Sequence, residues 1–154
     1  MGKIDAIDRR LIAALQEDAG ASVAAIGERI GLSQNACWRR IRRLEDDGFL
    51  IARVALFDAD KLGASLTAFA HIRVSEHDPD WLVSFARAVT AMPEVVEFYR
   101  MSGDIDYMTK ILVRDVQHYD VVYKRLIAVG GISDISSSFA MEEIKYTTAV
   151  PVPA

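Results

Sequence analysis

Apolar residues in the first fifty positions recur at the three-and-four spacing of amphipathic helices, in three short blocks. Ile7, Leu11, Ile12 and Leu15 form the first stripe; Asp5 or Asp8 can cap it and Ala19-Gly20 ends it. Ser22 caps a second helix with Val23, Ile26 and Ile30 inward, and Gly31-Leu32 follows. Ser33 then caps a third helix to Asp46, in which Cys37, Ile41 and Leu44 are the apolar stripe. Helix, glycine-containing tight turn and capped helix is the helix-turn-helix pattern, whose turn makes the leading end of the second helix protrude. Gly48 stops the third helix. Residues 49–57 read as extended but too short for two strands and a turn, hence a single strand or hinge. Residues 58–63 are a polar connector.

Beyond the connector the period changes. Residues 66–74 alternate, with Thr67, Phe69, His71 and Arg73 on one face and Leu66, Ala68, Ala70, Ile72 and Val74 on the other. Pro79 opens a helix through Trp81, Leu82, Phe85 and Val89 to about Met92, and Pro93 breaks it. Residues 95–101 and 107–113 read as a hairpin around the turn 102–106. Residues 116–129 form a helix with Tyr119, Val122, Tyr123 and Leu126 inward, closed by Gly130-Gly131, and residues 132–140 are a fourth strand. The order βαββαβ predicts an α+β chain: a helix-turn-helix domain over 1–57, the connector 58–63, and a ferredoxin-like sandwich over 64–154 with two helices on one sheet face. Residues 141–152 suit an added edge strand, ended by Pro151 and Pro153. Phe69, Phe98, Ile111 and Phe139 are assigned to the face without helices, which predicts a sheet-to-sheet dimer.

The net charge of −4 argues against a nucleic-acid partner only if charge is spread evenly, and it is not. Residues 1–56 carry nine Lys/Arg against eight Asp/Glu; residues 57–154 carry nine against fourteen. A near-neutral front with one basic helix and an acidic rear suits a DNA-binding head on a body with another task. Cys37 is the only cysteine, so no intrachain disulfide forms; a small buried thiol in a reducing compartment is the simpler reading. The charged N-terminus does not suit a signal peptide, and no apolar run approaches the ~20 residues of a membrane helix, so the expected location is the cytoplasm.

The third helix carries the candidate chemistry. Ser33, Gln34, Asn35, Trp38 and Arg39 lie at its leading end, and amides and guanidinium groups read adenine and guanine edges in a major groove. Arg42, Arg43 and, from the extended stretch, Arg53 are assigned to phosphates. Arg40 lies beside the apolar stripe and is read as a brace against an acid such as Asp8 or Glu28. The competing reading is a solvated helix paired with Glu45, Asp46 and Asp47.

Together these features resemble the Lrp/AsnC, or feast/famine, family of transcription regulators. The resemblance rests on Asp5-x-x-Asp8, Gly31-Leu32-Ser33, Cys37, Arg40-Ile41, Arg43-Leu44-Glu45 and Gly48 in the head. In the body it rests on Ser102-Gly103-Asp104-x-Asp106-Tyr107, Gly131-Ile132 and Met141-Glu142-Glu143-x-Lys145. Two departures are Phe49-Leu50, where β-branched residues are frequent, and Ala36, where Pro or Thr is frequent. The resemblance implies a homodimer on pseudo-palindromic double-stranded DNA, assembly into tetramers or octamers, a small amino-acid effector and no cofactor. It places the effector at Met101, Ser102, Gly103, Asp104, Asp106 and Tyr107, completed by Ser136, Ser137 and Ser138 of the same or a neighbouring subunit. Gly-Asp-x-Asp is also ordinary turn chemistry. Two alternatives stand beside the regulator: a sirohaem decarboxylase-like enzyme of the same architecture, and a ligand-binding module without DNA binding. The first needs basic groups around a tetrapyrrole, and the chain offers His71 mid-strand, His77 in a loop and His118 on a helix surface. Nucleophile triads, metal-ligand spacings and phosphate loops are not recognisable.

Overall fold

A computed structural model describes residues 3–75 and 78–152. Three helices form the front: α1 (Ala6–Glu17), α2 (Val23–Ile30) and α3 (Gln34–Asp46). Each begins on a side chain that accepts an otherwise orphaned backbone N–H: Asp5 from Asp8, Ser22 from Ala25 and Ser33 from Ala36. For α1 the cap is reciprocal, because Asp8 accepts from the Asp5 N–H in turn. Gly31 ends α2 at φ +75°, the left-handed conformation that glycine adopts without a Cβ penalty, and two residues later Ser33 starts α3. Leu11, Ala14, Leu15, Ile26, Ile30, Cys37, Ile41 and Leu44 close into one core. Cys37 is fully buried within it, and burial raises its thiol pKa.

The second unit is built from β1 (Leu66–Val74), α4 (Pro79–Thr90), β2 (Val95–Arg100), β3 (Tyr107–Val113), α5 (Val116–Ala128) and β4 (Ile132–Phe139). The strands pair antiparallel in the order β2-β3-β1-β4, the ferredoxin-like arrangement predicted by βαββαβ. Its core joins Ala68, Ala70, Ile72, Tyr107, Ile111 and Val113 of the central strands to Phe85 and Val89 of α4 and Tyr119, Val122 and Leu126 of α5.

Three expectations change. First, the face assignment fails for three of its four residues. Cross-strand partners share a face, and the register pairs Phe98 with Thr109 and Phe139 with the fully buried Ala68. Phe98 lies 5.8 Å from the Phe85 ring, Phe139 lies 5.1 Å from the Tyr119 ring, and Ile111 is fully buried in the helix-covered core. Only Phe69 is on the open face, beside Lys110 and Ser138. Second, of the strand and hinge readings of residues 49–57 only the hinge stands: they join no strand ladder, and Ile51, Val54, Leu56 and Phe57 are exposed. Third, residues 141–152 add no edge strand. From Lys145 onward they group with the helical head, where the Gln16 side-chain amide bonds Val150 twice, accepting from its N–H at 2.6 Å and donating to its carbonyl at 3.1 Å. The positions expected for His77 and Pro153 lie outside the described residues.

Candidate nucleic-acid interface and ligand site

On α3 the apolar stripe points into the head core, and the opposite side faces outward. Gln34, Asn35, Trp38, Arg39 and Arg42 are all exposed on that side. Trp38 is 50% exposed, and the Arg42 guanidinium carbon lies 5.7 Å from its ring centroid, within cation–π range. Ser33 is occupied as the cap. Among the described residues, Arg39 is the one arginine of α3 with no carboxylate within ion-pair distance. Arg42 and Arg53 both reach Glu45, at 3.1 and 3.2 Å, which holds these two candidate phosphate contacts side by side.

The other two arginines pair with carboxylates at the start of α1. Asp8 is buried to 0% exposure; its Oδ1 accepts from Arg40 at 2.7 Å and its Oδ2 from Arg43. Asp5 accepts from Arg40 at 2.8 Å. Arg40 is therefore the expected brace, on Asp8 and Asp5 and not on Glu28. Arg43, assigned to phosphate, meets the same carboxylate as Arg40. The Asp8 N–H and then Arg40 hold the Asp5 carboxyl down at about 2, from an ordinary 3.8. The signal was available: acids spaced i, i+3 at one helix start match arginines spaced i, i+3 on another. Arg10 adds a tie, donating to the Ile30 carbonyl at the end of α2 at 2.9 Å.

In the body, the residues expected for the effector divide. Gly103 has φ +109°, so the 102–106 turn requires glycine there, and Met101, Ser102 and Asp104 are exposed. Asp106 is committed to structure: its carboxylate accepts from the Val74 N–H at 2.9 Å and its N–H donates to the Ile72 carbonyl at 2.9 Å. Tyr107 is buried against Phe85 at 5.2 Å, in the core under α4, and cannot line a site at the turn. Ser136 and Ser138 lie on the open sheet face, while Ser137 lies on the helix face, 2.6 Å from the Tyr119 hydroxyl. The turn lies against the Ile72–Val74 end of β1 and the serines lie on β4 along its other edge, so β1 stands between the two groups within one subunit.

Ser137 does open onto a hollow of about 270 Å³ between α5 and β4, lined by Val116, Tyr119, Asp120, Tyr123 and Ile135. Burial raises the Tyr119 phenol pKa against the opposing Ser137 hydrogen bond, so the pair stays two neutral hydroxyls. Five of these six residues were missed because only the β4–α5 packing puts them together. His71 lies mid-strand on the open face, between Met108 and Ser136; His118 lies 3.3 Å from Glu94. Among the described residues no acid–histidine–cysteine cluster is able to hold a metal ion, and no helix is long and apolar enough to cross a membrane.

Comparison with known proteins follows the same division. Residues 4–45 match the AsnC-type helix-turn-helix domain, and residues 67–150 match the Lrp/AsnC ligand binding domain. The chain is 49% identical over 150 residues to the DNA-binding transcriptional activator DecR of Escherichia coli K12, covering 97% of this chain and 99% of that protein. The crystal structure of an AsnC family transcriptional regulator from Agrobacterium tumefaciens superposes with a TM-score of 0.93 at 49% identity, covering 96% and 97% of the two chains. A transcriptional regulator from Neisseria meningitidis, solved as an L-Met complex, superposes with a TM-score of 0.92 at 30% identity over 97% of each chain. These relatives are regulators, which sets aside the decarboxylase alternative. The chain belongs to the Lrp/AsnC family of DNA-binding transcriptional regulators.

Proposed function

We propose that this chain is a cytoplasmic regulator that binds DNA sequence-specifically and whose assembly and operator affinity are set by a small amino acid. The observation that carries the DNA part is the outward face of α3. Gln34, Asn35, Trp38 and Arg39 project together from the leading end of a capped helix, and among the described residues no carboxylate holds Arg39. In this reading those four enter the major groove, while Arg42 and Arg53, paired on Glu45, hold phosphates. Residues 1–57 are the DNA-binding domain, and residues 64–144 bind effector and a second copy of the chain. The assembly is a homodimer that stacks into tetramers or octamers.

The hollow between α5 and β4 supports the effector part. Its hydroxyl pair leaves one O–H free to donate to a carboxylate. The Asp120 carboxylate, which Lys124 also meets, and the Tyr123 ring suit an ammonium, and Val116 and Ile135 offer an apolar wall. The L-Met complex of the Neisseria regulator is consistent with a ligand of this size and chemistry. Ser102, Gly103 and Asp104 complete the site from a neighbouring copy. A ligand shifts assembly only by its affinity difference between states, so a site shared between copies couples nutrient level to the arrangement of the DNA heads.

The test uses a duplex selected from a random-sequence library by the chain itself. DNA affinity and sedimentation are measured with each common amino acid at saturation. At least one amino acid shifts the oligomer distribution and changes DNA affinity by roughly 5–150-fold. Arg39→Ala lowers affinity for the selected duplex by about 1–3 kcal/mol and levels its preference over random DNA. Unchanged assembly and affinity with every amino acid removes the effector; an undiminished preference in Arg39→Ala removes the groove assignment.

A further inference from the structure

We infer that Asp8 is a positioning residue for DNA recognition: it holds Arg40 and Arg43 within the head, keeps two of the four guanidinium groups of α3 off the phosphate backbone, and leaves selection to the leading face. The inference rests on the placement of α3 in the groove.

The charge arrangement motivates it. Of Arg39, Arg40, Arg42 and Arg43, three meet a carboxylate of their own chain. The Asp8 carboxylate is fully buried and saturated: Oδ1 takes Arg40, and Oδ2 takes Arg43 and the Asp5 N–H. Yet the side chains of Arg40 and Arg43 are still 25% and 45% exposed. They stand at the surface within reach of an anion, so what retires them is the pairing, not burial.

The asymmetry of the pair explains why DNA does not simply take them. A phosphate that pulled Arg43 away would strip a partner from a carboxylate that water does not reach, and an uncompensated buried charge is costly. The exposed Arg42–Glu45 pair carries no such penalty, and Arg42 can exchange Glu45 for phosphate. Phosphate contacts raise affinity for every duplex alike and carry no sequence information. By withholding Arg40 and Arg43, Asp8 lowers binding to random DNA without touching Gln34, Asn35 or Arg39, and so widens the ratio of specific to non-specific binding.

The experiment measures the wild-type chain, Asp8→Asn, Arg43→Gln and the double variant by fluorescence anisotropy against a library-selected duplex and a random duplex of equal length, over a salt series. Circular dichroism verifies folding, and Arg39→Ala, by losing selectivity, verifies the groove placement independently. Asp8→Asn is expected to tighten binding to random duplex roughly threefold at low salt, to steepen the slope of log affinity against log salt by about 0.9 per guanidinium released, and to shrink the selected-to-random ratio. Adding Arg43→Gln to Asp8→Asn returns the slope towards wild type, while Arg43→Gln alone leaves it unchanged. Equal weakening on both duplexes with an unchanged slope makes Asp8 merely structural and overturns the inference. If Asp8→Asn does not fold, Arg43→Gln decides: a slope flattened by about 0.9 means Arg43 already grips phosphate and the inference fails, and an unchanged slope upholds it.

Discussion

Asp5 illustrates how one exposed carboxylate records the state of the recognition helix. Its charge is stabilised first by the Asp8 N–H it caps and then by Arg40 of α3, which together hold its carboxyl at about 2 against an ordinary 3.8. The folded chain thus binds this proton less readily than the unfolded chain. The contribution is complete above roughly pH 4 and is lost as pH falls towards about 2. Asp5→Asn keeps a capping side chain but removes the charge. The gap in urea midpoint between wild type and Asp5→Asn is therefore expected to stay constant from neutral pH to about pH 5 and to close between about pH 4 and 2. Acids common to both proteins cancel in the comparison. A gap that persists to the acid end shows that the charge of Asp5 plays no part in joining α1 to α3.

Among the elements, the turn between α2 and α3 sets the angle on which recognition depends, and Gly27 controls it. This glycine is buried in α2; a Cβ there would sit 2.9 Å from the Leu32 carbonyl oxygen and 3.4 Å from the Cys37 Cβ. The Leu32 N–H donates to the Gly27 carbonyl at 2.8 Å, so the turn cannot back away without losing its own hydrogen bond. Alanine is the better helix former by about 1 kcal/mol. Gly27→Ala is nevertheless expected to destabilise the chain by about 1–3 kcal/mol through overpacking, and to weaken selected-duplex binding beyond that loss of folded protein. Denaturant unfolding and anisotropy measure the two; a stability equal to or above wild type shows that the turn yields freely. Helix boundaries were legible in the sequence because caps are local chemistry: Ser22, Ser33, Pro79 and Gly31 act within one turn of the residues they serve. The stretch 49–57 and the tail were less legible, since a strand needs a partner the local pattern does not name. The pairing of Arg43 was legible only as a spacing match, Asp5 and Asp8 against Arg40 and Arg43, because its partner Asp8 is 35 residues away.

At the scale of the molecule, the sheet face proposed to meet a second copy is more polar than residue size suggested. Large apolar residues of β2 and β4 go under the helices, and small Ala68 and Ala70 of β1 make room for them. The open face carries Tyr99, Met108, His71 and Ser136 in one row and Glu97, Lys110, Phe69 and Ser138 in the next, with Leu112 and Thr67 beyond. Lys110, 3.6 Å from Glu97, stands between Met108 and Leu112 on β3 and opposite Phe69, so three apolar side chains surround one paired lysine. A two-fold axis through such a face sets it against itself, and a residue at the centre then counts twice. Phe69→Glu places two carboxylates near that axis without touching the helix-side core. It is expected to raise the dimer dissociation constant at least roughly tenfold, the loss of about 1.4 kcal/mol or more of association, and to leave the far-ultraviolet circular dichroism unchanged. On DNA, affinity for a duplex bearing two half-sites should fall to near that for a single half-site, because the second head is no longer tethered. Sedimentation and anisotropy on one preparation read both outcomes. A dimer that persists at wild-type strength shifts the interface to the exposed apolar hinge of residues 49–57, where Ile51, Val54 and Phe57 offer an unpaired edge.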